Sequence, residues 1–406
     1  MQKKKLLRIC HKFLKDNDGY DLEIQDLVLS LSNEYDTYIA VFLKKEELDS
    51  YIKKNNLKKK ENYFYHSATK AIIIPVFYES KFNNYLQDFY MFKNIKQAKS
   101  QLNNIIQQIN PQIIHIHGTL LLQYLLVSAK HKHKTIATHH IGHINQNYHQ
   151  QKLRILAAKF IVHNLFPFFC RSVICVSNHG RQSFLIKTKN IAVINPVPMI
   201  DESKKIDVNN NQKSIKLQNK IQQKIKNKSE IVLFYPARFC EQKNQLNLVK
   251  AFVKLSSEKT NLKLILAGSI KDQYYFAKIK DEAAKVAKNS QIIIMDELDK
   301  KKVHSLIKSC NYVVAPSINE GFGRIAREAL AYQKPVIASN EGGYSDIIKD
   351  GVNGILVNPY DSKSIYGGIK TALSAKFAIV QESKENRFEQ YISKIKSIYL
   401  GKQNEL

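Results

Sequence analysis

Two glutamates stand eight positions apart in a stretch that is otherwise helix-like, NEGFGRIAREALAYQ at 319–333. Glu320 follows an apolar run, and Gly321 and Gly323 remove Cβ atoms that would keep the backbone away from a ligand. The unpaired amides and the dipole of a helix start favour a phosphate or the oxygens of a sugar. Because a carboxylate repels phosphate, Glu320 is better suited to accept hydrogen bonds from sugar hydroxyls, and Glu328 can hold a ribose diol in the same way.

These two carboxylates also have a purely structural interpretation, in which Glu320 caps the helix and Glu328 pairs with Arg324 one turn earlier. Two cations in YPARFCEQKNQ, Arg238 and Lys243, follow an earlier apolar run. Alone they would be read as solvated surface charges. In the same half of the chain as the two glutamates, they favour stabilisation of a departing diphosphate without a metal ion. A second glycine pair in SNEGGYSDII precedes another helical pattern.

Apolar strand-like runs alternate with amphipathic segments on both sides of residue 200, which predicts βαβ units and mostly parallel sheets. The predicted strands of the first half are KLLRIC, YIAVFL, AIIIPVF, IIHIHG, KTIATHH and SVICVS. Those of the second half are EIVLFYPA, LKLILAG, QIIIMD, YVVAPS, KPVIAS and GILVN. Predicted helices cover 22–34, 119–129, 243–257, 272–288 and 299–309.

The alternation stops between the two series, which predicts a division of the chain. Residues 201–229 are polar, basic and nearly free of aromatic side chains, as in a linker or an insertion. We therefore predict a first Rossmann-like domain at 1–200, this linker, a second Rossmann-like domain at 230–375, and a helical tail at 376–406. Ligands of such sheets bind beyond the carboxyl ends of the strands.

The stretch that runs from Glu320 through Glu328 resembles the E-x7-E signature of the retaining nucleotide-sugar glycosyltransferases of family 4. That family has the GT-B fold of two facing Rossmann-like domains. The resemblance covers about 229–362, including KPVIASNEGGYSDIIKDGVNGILVNPYD, which is similar to the family's Gly-Gly-x-x-Glu segment. In the first half it rests on strand order and on IIHIHG, ATHH and ICVSNHG.

The resemblance implies a retaining transferase that moves a sugar from a nucleoside diphosphate to a lipid-linked or cell-surface glycan or glycolipid, with neither metal nor cofactor. It assigns catalytic roles to Glu320 at the transferred sugar, to Arg238 and Lys243 at the diphosphate, and to His140 in the cleft. The donor nucleotide sugar would be held by Arg238, Lys243, Gly321, Phe322, Gly323 and Glu328. Base, sugar and acceptor stay open.

The sequence departs from the family's pattern at three places. Gly19 stands alone where the family often has a Gly-Gly loop, which puts acceptor contacts there in doubt. Asp346 replaces the more frequent Glu. The pair His139 and His140 leaves the cleft histidine ambiguous by one position. Two other functions stay open, a GT-B nucleotide-sugar epimerase and a basic nucleic-acid-binding module, although no RNA-binding motif is present and we expect no nucleic-acid partner.

Histidine is concentrated between positions 115 and 179, where ten of the thirteen lie. A metal site there would need ligands on one side of a strand. We expect His115 and His117 to face opposite sides of their strand, His115 packed and His117 at the strand end. No Asp or Glu is near them in sequence, so we predict no metal site.

The formal charge of +28 points to an anionic partner, and no acidic residue lies between Asp88 and Asp201. The segment 151–171 joins cations to a dense set of apolar side chains, as in a helix that lies in a membrane interface or packs in a core. Apolar runs are too short for a bilayer span or a signal peptide, and the scattered cysteines suit reduced packing residues. We expect a cytoplasmic protein, peripheral on the inner face of the cytoplasmic membrane.

Overall fold

The structure is a computed structural model. It describes residues 2–10, 13–14, 19–61, 63–78, 95–118, 129–140, 164–186, 188–197, 230–286, 291–379 and 384–402. Two compact units are present, the first comprising Met1–Pro196 with Phe388–Leu406, the second Val197–Arg387. The predicted linker at 201–229, most of the 151–171 segment and nearly all of the predicted 119–129 helix lie outside the described residues.

The first unit contains a sheet whose described strands are β1 (Lys4–Cys10), β2 (Tyr35–Leu43), β3 (Lys58–Lys60), β4 (Tyr63–His66), β5 (Ala71–Phe77), β6 (Ile113–His117), β7 (Thr135–His139), β8 (Ser172–Cys175) and β9 (Ile191–Val193). Their order is β3-β4-β5-β2-β1-β6-β7-β8-β9. Only the β3–β4 and β4–β5 pairs are antiparallel. All six strands predicted for this half are present, whereas β3, β4 and β9 were not predicted.

Helices of the first unit cover both faces of this sheet's apolar strands. Among the described residues they are α1 (Gly19–Ser30), α2 (Leu48–Lys54), α3 (Ile95–Ile109) and α4 (Asn178–Gln182). One buried apolar cluster includes Leu102 and Ile106 of α3 with Ile114 of β6. A second cluster joins Ile24 and Val28 of α1 to the other side of the sheet. Burial on both faces explains why β1 and β6 do not alternate between buried and exposed residues.

The second unit is an all-parallel sheet covered by helices. Its described strands are β10 (Ile231–Pro236), β11 (Leu262–Ala267), β12 (Ile292–Met295), β13 (Tyr312–Ala315), β14 (Val336–Ser339) and β15 (Gly354–Val357). The strand order is β12-β11-β10-β13-β14-β15. The helices described after residue 230 are α5 (Gln245–Glu258), α6 (Gln273–Ala283), α7 (Lys300–Ser309), α8 (Arg324–Ala331), α9 (Ser362–Ser374) and α10 (Lys384–Tyr399), the last of which continues into the first unit.

Local sequence explains where several of these helices begin and how they pack. Asp272 and Asp299 cap α6 and α7, each accepting a hydrogen bond from a backbone amide three residues ahead, at 2.9 Å. In α5, the buried Leu248, Phe252 and Leu255 recur at helical spacing and face the core.

The two sheets and their covering helices confirm the predicted α/β class with mostly parallel sheets. No helix in the described part of the chain has the length and apolar character needed to span a membrane.

Candidate active site

Three neighbouring parallel strands of the second unit end at one edge of their sheet. β10 pairs with β13, and β13 pairs with β14. The loops that follow these strands therefore leave the sheet side by side. The first loop carries Arg238 and Lys243, the second carries Glu320, and the third carries Gly342 and Gly343. Residues that are far apart in sequence are thus brought together at the edge where ligands of this sheet type bind.

Lys243 and Glu320 form a direct ion pair. The Lys243 Nζ lies 2.5 Å from Glu320 Oε2, and both side chains are largely buried. Burial would raise the pKa of Glu320, but the charge and hydrogen bond of Lys243, the Gly323 amide and the charge of Arg238 together hold it below its usual value. Glu320 is therefore an ionised acceptor, with two predicted diphosphate-binding cations acting on it.

Buried polar contacts hold the loop of Lys243 against the loop of Glu320. Asn244 has a left-handed backbone (φ 56°), and its side-chain amide donates to the carbonyls of Pro316 at 3.0 Å and Pro359 at 2.6 Å. The Tyr235 hydroxyl lies 2.6 Å from Ser317 Oγ and donates to the Lys243 carbonyl at 3.0 Å. Because these hydrogen bonds join the two loops, they hold Lys243 and Glu320 in position for their ion pair.

Gly342 and Gly343 serve close packing of the third loop on the second. The Gly343 amide donates to the Glu320 carbonyl at 2.7 Å. A Cβ on Gly342, whose φ is +71°, would lie 2.2 Å from that same carbonyl oxygen. Gly342 is therefore required by contact with the backbone of Glu320, whereas a Cβ on Gly343 would lie 2.7 Å from the Gly321 carbonyl oxygen. A short 3-10 turn, Gly342–Tyr344, follows in place of the predicted longer helix.

The helix after Glu320 begins later than the sequence predicts. α8 starts at Arg324, and its N-cap is Gly323, with a left-handed φ of 69°. Glu320 does not cap it, although the Gly323 amide helps to lower the pKa of its carboxyl. A Cβ at Gly323 would meet the Tyr344 ring at 2.8 Å, so this glycine has a packing role besides the predicted ligand approach. Phe322 is buried, with the Arg327 guanidinium carbon 5.1 Å from its ring centroid.

Glu328 makes the internal pair that the structural interpretation predicts. Arg324 Nε donates to Glu328 Oε1 at 2.8 Å, and His304 Nε2 lies 3.8 Å from the same oxygen. Burial would raise the pKa of Glu328, but Arg324 and His304 lower it from its usual 4.5 to about 2. The sequence gives no signal for His304, which lies on another helix. The ribose contact of Glu328 stays a prediction.

In the first unit, the structure distinguishes the two candidate cleft histidines by their surroundings. His139 ends β7 and is buried, with ring centroids 5.9 Å from Phe166 and 5.0 Å from Phe184. His140 is also largely buried, and its Nδ1 lies 3.5 Å from Glu23 Oε2. A carboxylate at this distance can orient an imidazole, which suits a polar role for His140. Arg238, Lys243 and Glu320 belong to the other unit.

The prediction that His115 and His117 face opposite sides of β6 is wrong. Residues two apart in a strand face the same side, and the two ring centroids are 4.0 Å apart. Both rings contact Arg8, whose Nη1 is 2.7 Å from His117 Nε2 and 3.3 Å from His115 Nδ1. Burial, the charge of Arg8 and the neighbouring histidines hold the pKa of both rings well below 6.5, so they are neutral. The sequence analysis missed Arg8, a fully buried cation within an apolar strand.

Part of the chain matches a known family. Residues 217–394 match the family model of glycosyl transferases group 1. An uncharacterized glycosyltransferase of Methanocaldococcus jannaschii is 33% identical over 165 residues, which are 40% of this chain and 41% of that protein. Lipopolysaccharide 1,2-N-acetylglucosaminetransferase of Salmonella typhimurium is 31% identical over 173 residues, 39% of this chain and 44% of that protein. The match spans less than half the length of these curated relatives.

Solved structures resemble the chain over nearly its whole length. Sucrose-phosphate synthase from Thermosynechococcus elongatus superposes with a TM-score of 0.73 at 16% identity, covering 98% of both chains. HepE from Anabaena, solved in complex with UDP-glucose, gives 0.69 at 15% identity, covering 99% of this chain and 100% of that one. At such identities the likeness concerns the fold. The chain thus has the GT-B fold, and its residues 217–394 are similar to glycosyl transferases group 1.

Proposed function

We propose that this protein is a retaining, metal-independent glycosyltransferase that moves a sugar from a nucleoside diphosphate to a lipid-linked or cell-surface glycan. The observation that carries the proposal is the Lys243–Glu320 ion pair, on strand-end loops of a domain that matches glycosyl transferases group 1. The structural relative HepE, solved with UDP-glucose, supports a nucleotide-sugar donor.

The charges of the second unit suit departure of a diphosphate. A lysine ammonium has three N–H donors, so Lys243 can keep Glu320 with one and hold diphosphate oxygens with others. Arg238 adds a second fixed cation, and together they stabilise the negative charge that grows as the bond to the anomeric carbon breaks. Glu320, kept ionised by these neighbours, accepts hydrogen bonds from hydroxyls of the transferred sugar.

The remaining donor contacts and the stereochemistry are proposed from the E-x7-E resemblance. Glu328 would hold the ribose with its second oxygen, since Oε1 already accepts from Arg324. Gly321, Phe322 and the glycine that caps α8 would line the donor. His140 would contact the sugar. Retention requires the acceptor oxygen to join the anomeric carbon on the side that the diphosphate leaves.

The acceptor class and the cellular location are proposed from charge and from one relative. The Salmonella relative is named for lipopolysaccharide, and the net charge of +28 favours an anionic surface. We propose a cytoplasmic protein, peripheral on the inner face of the cytoplasmic membrane. The anionic lipids of that membrane face attract a positively charged protein surface.

Incubation with a panel of nucleotide sugars and glycan acceptors, in the presence of EDTA, tests the proposal. We expect one donor to release its nucleoside diphosphate, and the product sugar to keep its anomeric configuration in a nuclear magnetic resonance spectrum. If no nucleotide binds and no diphosphate is released, the proposal fails. Release of an isomerised free sugar without transfer would identify an epimerase instead.

Variants of the ion pair test the mechanism. Glu320→Ala should lower turnover by roughly a hundredfold or more with a smaller effect on donor affinity, since one preorganised electrostatic contact has about that value. Arg238→Ala and Lys243→Ala should lower both turnover and donor affinity, because the diphosphate is charged before and during bond breaking. Lys285→Ala, at an exposed position of the same unit, is the matched control. Wild-type turnover in the Arg238/Lys243 double variant would contradict these roles.

A further inference from the structure

Two short stretches of the first unit expose a group of large apolar side chains. In the described residues, the most exposed of them is Leu185 at 67%, and Phe168 is 46% exposed. We call the whole group the apolar patch; its members are Leu165, Phe168, Phe169, Leu185 and Ile186. Single exposed apolar residues are ordinary, but several together mark an interaction surface.

Specific contacts join the two stretches into one surface. The Leu185 amide donates to Asn164 Oδ1 at 2.8 Å. Beneath, Phe166 and Phe184 are buried, with ring centroids 5.4 Å apart. The Asn190 side-chain amide donates to the Pro167 carbonyl at 2.8 Å, which fixes the far end of the first stretch. The exposed members therefore project from a packed base and are held in place.

Cations border the apolar patch. Arg181 is exposed on α4, and the Phe184 amide donates to its carbonyl at 3.3 Å. Lys189 is exposed beside Asn190. Lys132 is exposed in the turn just before β7, and the carbonyl of Thr135, the first residue of β7, accepts from the Arg171 amide at 2.7 Å, two residues after Phe169. Since no acidic residue occurs from 89 to 200, nothing in that stretch of sequence offsets these charges.

The segment 151–171, which the sequence predicts to be interfacial or core, is described only from residue 164 onward. Of its four cations, only Arg171 lies among the described residues, and its Nη2 donates to the carbonyls of Ile398 at 2.9 Å and Tyr399 at 3.1 Å. Arg171 therefore stabilises the end of α10. The described cations that border the apolar patch, Lys132, Arg181 and Lys189, come from outside 151–171, so the described part of this surface is assembled from several elements.

We propose that the apolar patch inserts into an anionic lipid membrane, with Lys132, Arg181 and Lys189 against the lipid phosphates. Apolar side chains enter the acyl boundary while surrounding cations meet the headgroups, which is the combination an interfacial site requires. A second copy of the chain fits less well, since it presents the same positive charge. The inference rests on the proposed function only for its biological purpose, because lipid binding does not need sugar transfer.

Sedimentation of the full chain with vesicles tests the proposal. We expect binding to phosphatidylglycerol vesicles, little binding to phosphatidylcholine vesicles, and weaker binding as salt is raised. The Phe168→Ser, Leu185→Ser double variant should lose roughly tenfold or more of its partition into phosphatidylglycerol vesicles, because each apolar side chain gains free energy on burial. Arg181→Gln with Lys189→Gln should lose roughly thirtyfold at low salt.

The second unit offers a matched control. Tyr274 is 73% exposed, and Val352 is also exposed, so Tyr274→Ser with Val352→Ser removes similar surface and should leave vesicle binding unchanged. Equal binding to both kinds of vesicle, or wild-type binding by the Phe168/Leu185 variant, would overturn the proposal. Self-association that the same variant abolishes, in place of vesicle binding, would identify a second copy as the occupant. Donor turnover without vesicles should stay unchanged in the Phe168/Leu185 variant. The proposed function is therefore tested independently of lipid binding.

Discussion

Glu328 is buried within hydrogen-bonding distance of Arg324, and this neighbour determines its charge. Burial alone would keep the carboxyl protonated, yet Arg324 and His304 lower its pKa to about 2. Glu320 is governed in the same way by Lys243 and Arg238. At both positions, therefore, the sequence shows a glutamate, and a neighbouring cation keeps that glutamate ionised. That cation is one turn away at Glu328 and 77 positions away at Glu320.

Glu328→Gln should change how stability depends on pH. Because the folded-state pKa is below the usual 4.5, ionised Glu328 stabilises the fold fully above pH 4.5, and this contribution is lost as pH falls toward 2. The variant should be less stable by about 3 kcal/mol at neutral pH, with the difference vanishing near pH 2. Urea unfolding across this range measures it. Glu297→Gln, at an exposed position, should behave as wild type; acid sensitivity unchanged in Glu328→Gln would contradict the assignment.

At the scale of elements, apolar runs predicted the buried parallel strands. The elements that were missed or misplaced have physical causes. β3 consists of three exposed lysines and is a strand only because it pairs with β4. The helix predicted around Glu320 begins at Arg324 because Asn319 and Gly323 take left-handed φ values of 51° and 69°, which no helix accommodates. Local patterns carry no information about such pairing and turns.

In the candidate site, too, local patterns predicted residues but not their contacts. Arg238, Lys243 and Glu320 were identifiable by type and by position after apolar runs, because strand ends of parallel sheets share an edge. Their pairing was not, since it depends on β10 lying beside β13. The contact of His115 and His117 was readable from the period of a strand and was misjudged. The contact of Arg8 with these two histidines could not be predicted, since it depends on β1 lying beside β6.

Gly342→Ala should loosen the packing between the third and second loops. Its new Cβ would fall 2.2 Å from the Glu320 carbonyl oxygen, and its φ of +71° disfavours any side chain. We expect a loss of about 1–3 kcal/mol, seen as a lower melting temperature, together with weaker donor binding. Gly367→Ala is the control, because nothing lies within 4 Å of its Cβ position in α9. It should be neutral or stabilise by up to about 1 kcal/mol. A Gly342→Ala variant as stable as wild type would remove the loop-packing argument.

At the scale of the whole molecule, the first unit is completed by the end of the chain. Residues from Phe388 onward belong to it, although the preceding stretch builds the second unit. The Tyr399 hydroxyl lies 2.7 Å from His115 Nδ1, and Arg171 donates to the last carbonyls of α10, as suits a cation at a helix C-terminus. The stability of the first unit therefore depends on residues more than 280 positions from β6.

Ile398→Ala should destabilise the first unit selectively. Ile398 is fully buried on α10, and truncating such a side chain leaves a cavity that costs about 2–5 kcal/mol. Hydrogen exchange of the full chain should show faster exchange in β1 and β6 and unchanged exchange in β10 and β13, because local opening follows the packing that has been lost. Leu400→Ala, at an exposed position two residues later, is the matched control and should leave both sets of strands protected. Equal acceleration in the strands of both units would mean that they open together, and α10 would then stabilise the whole chain and not only the first unit.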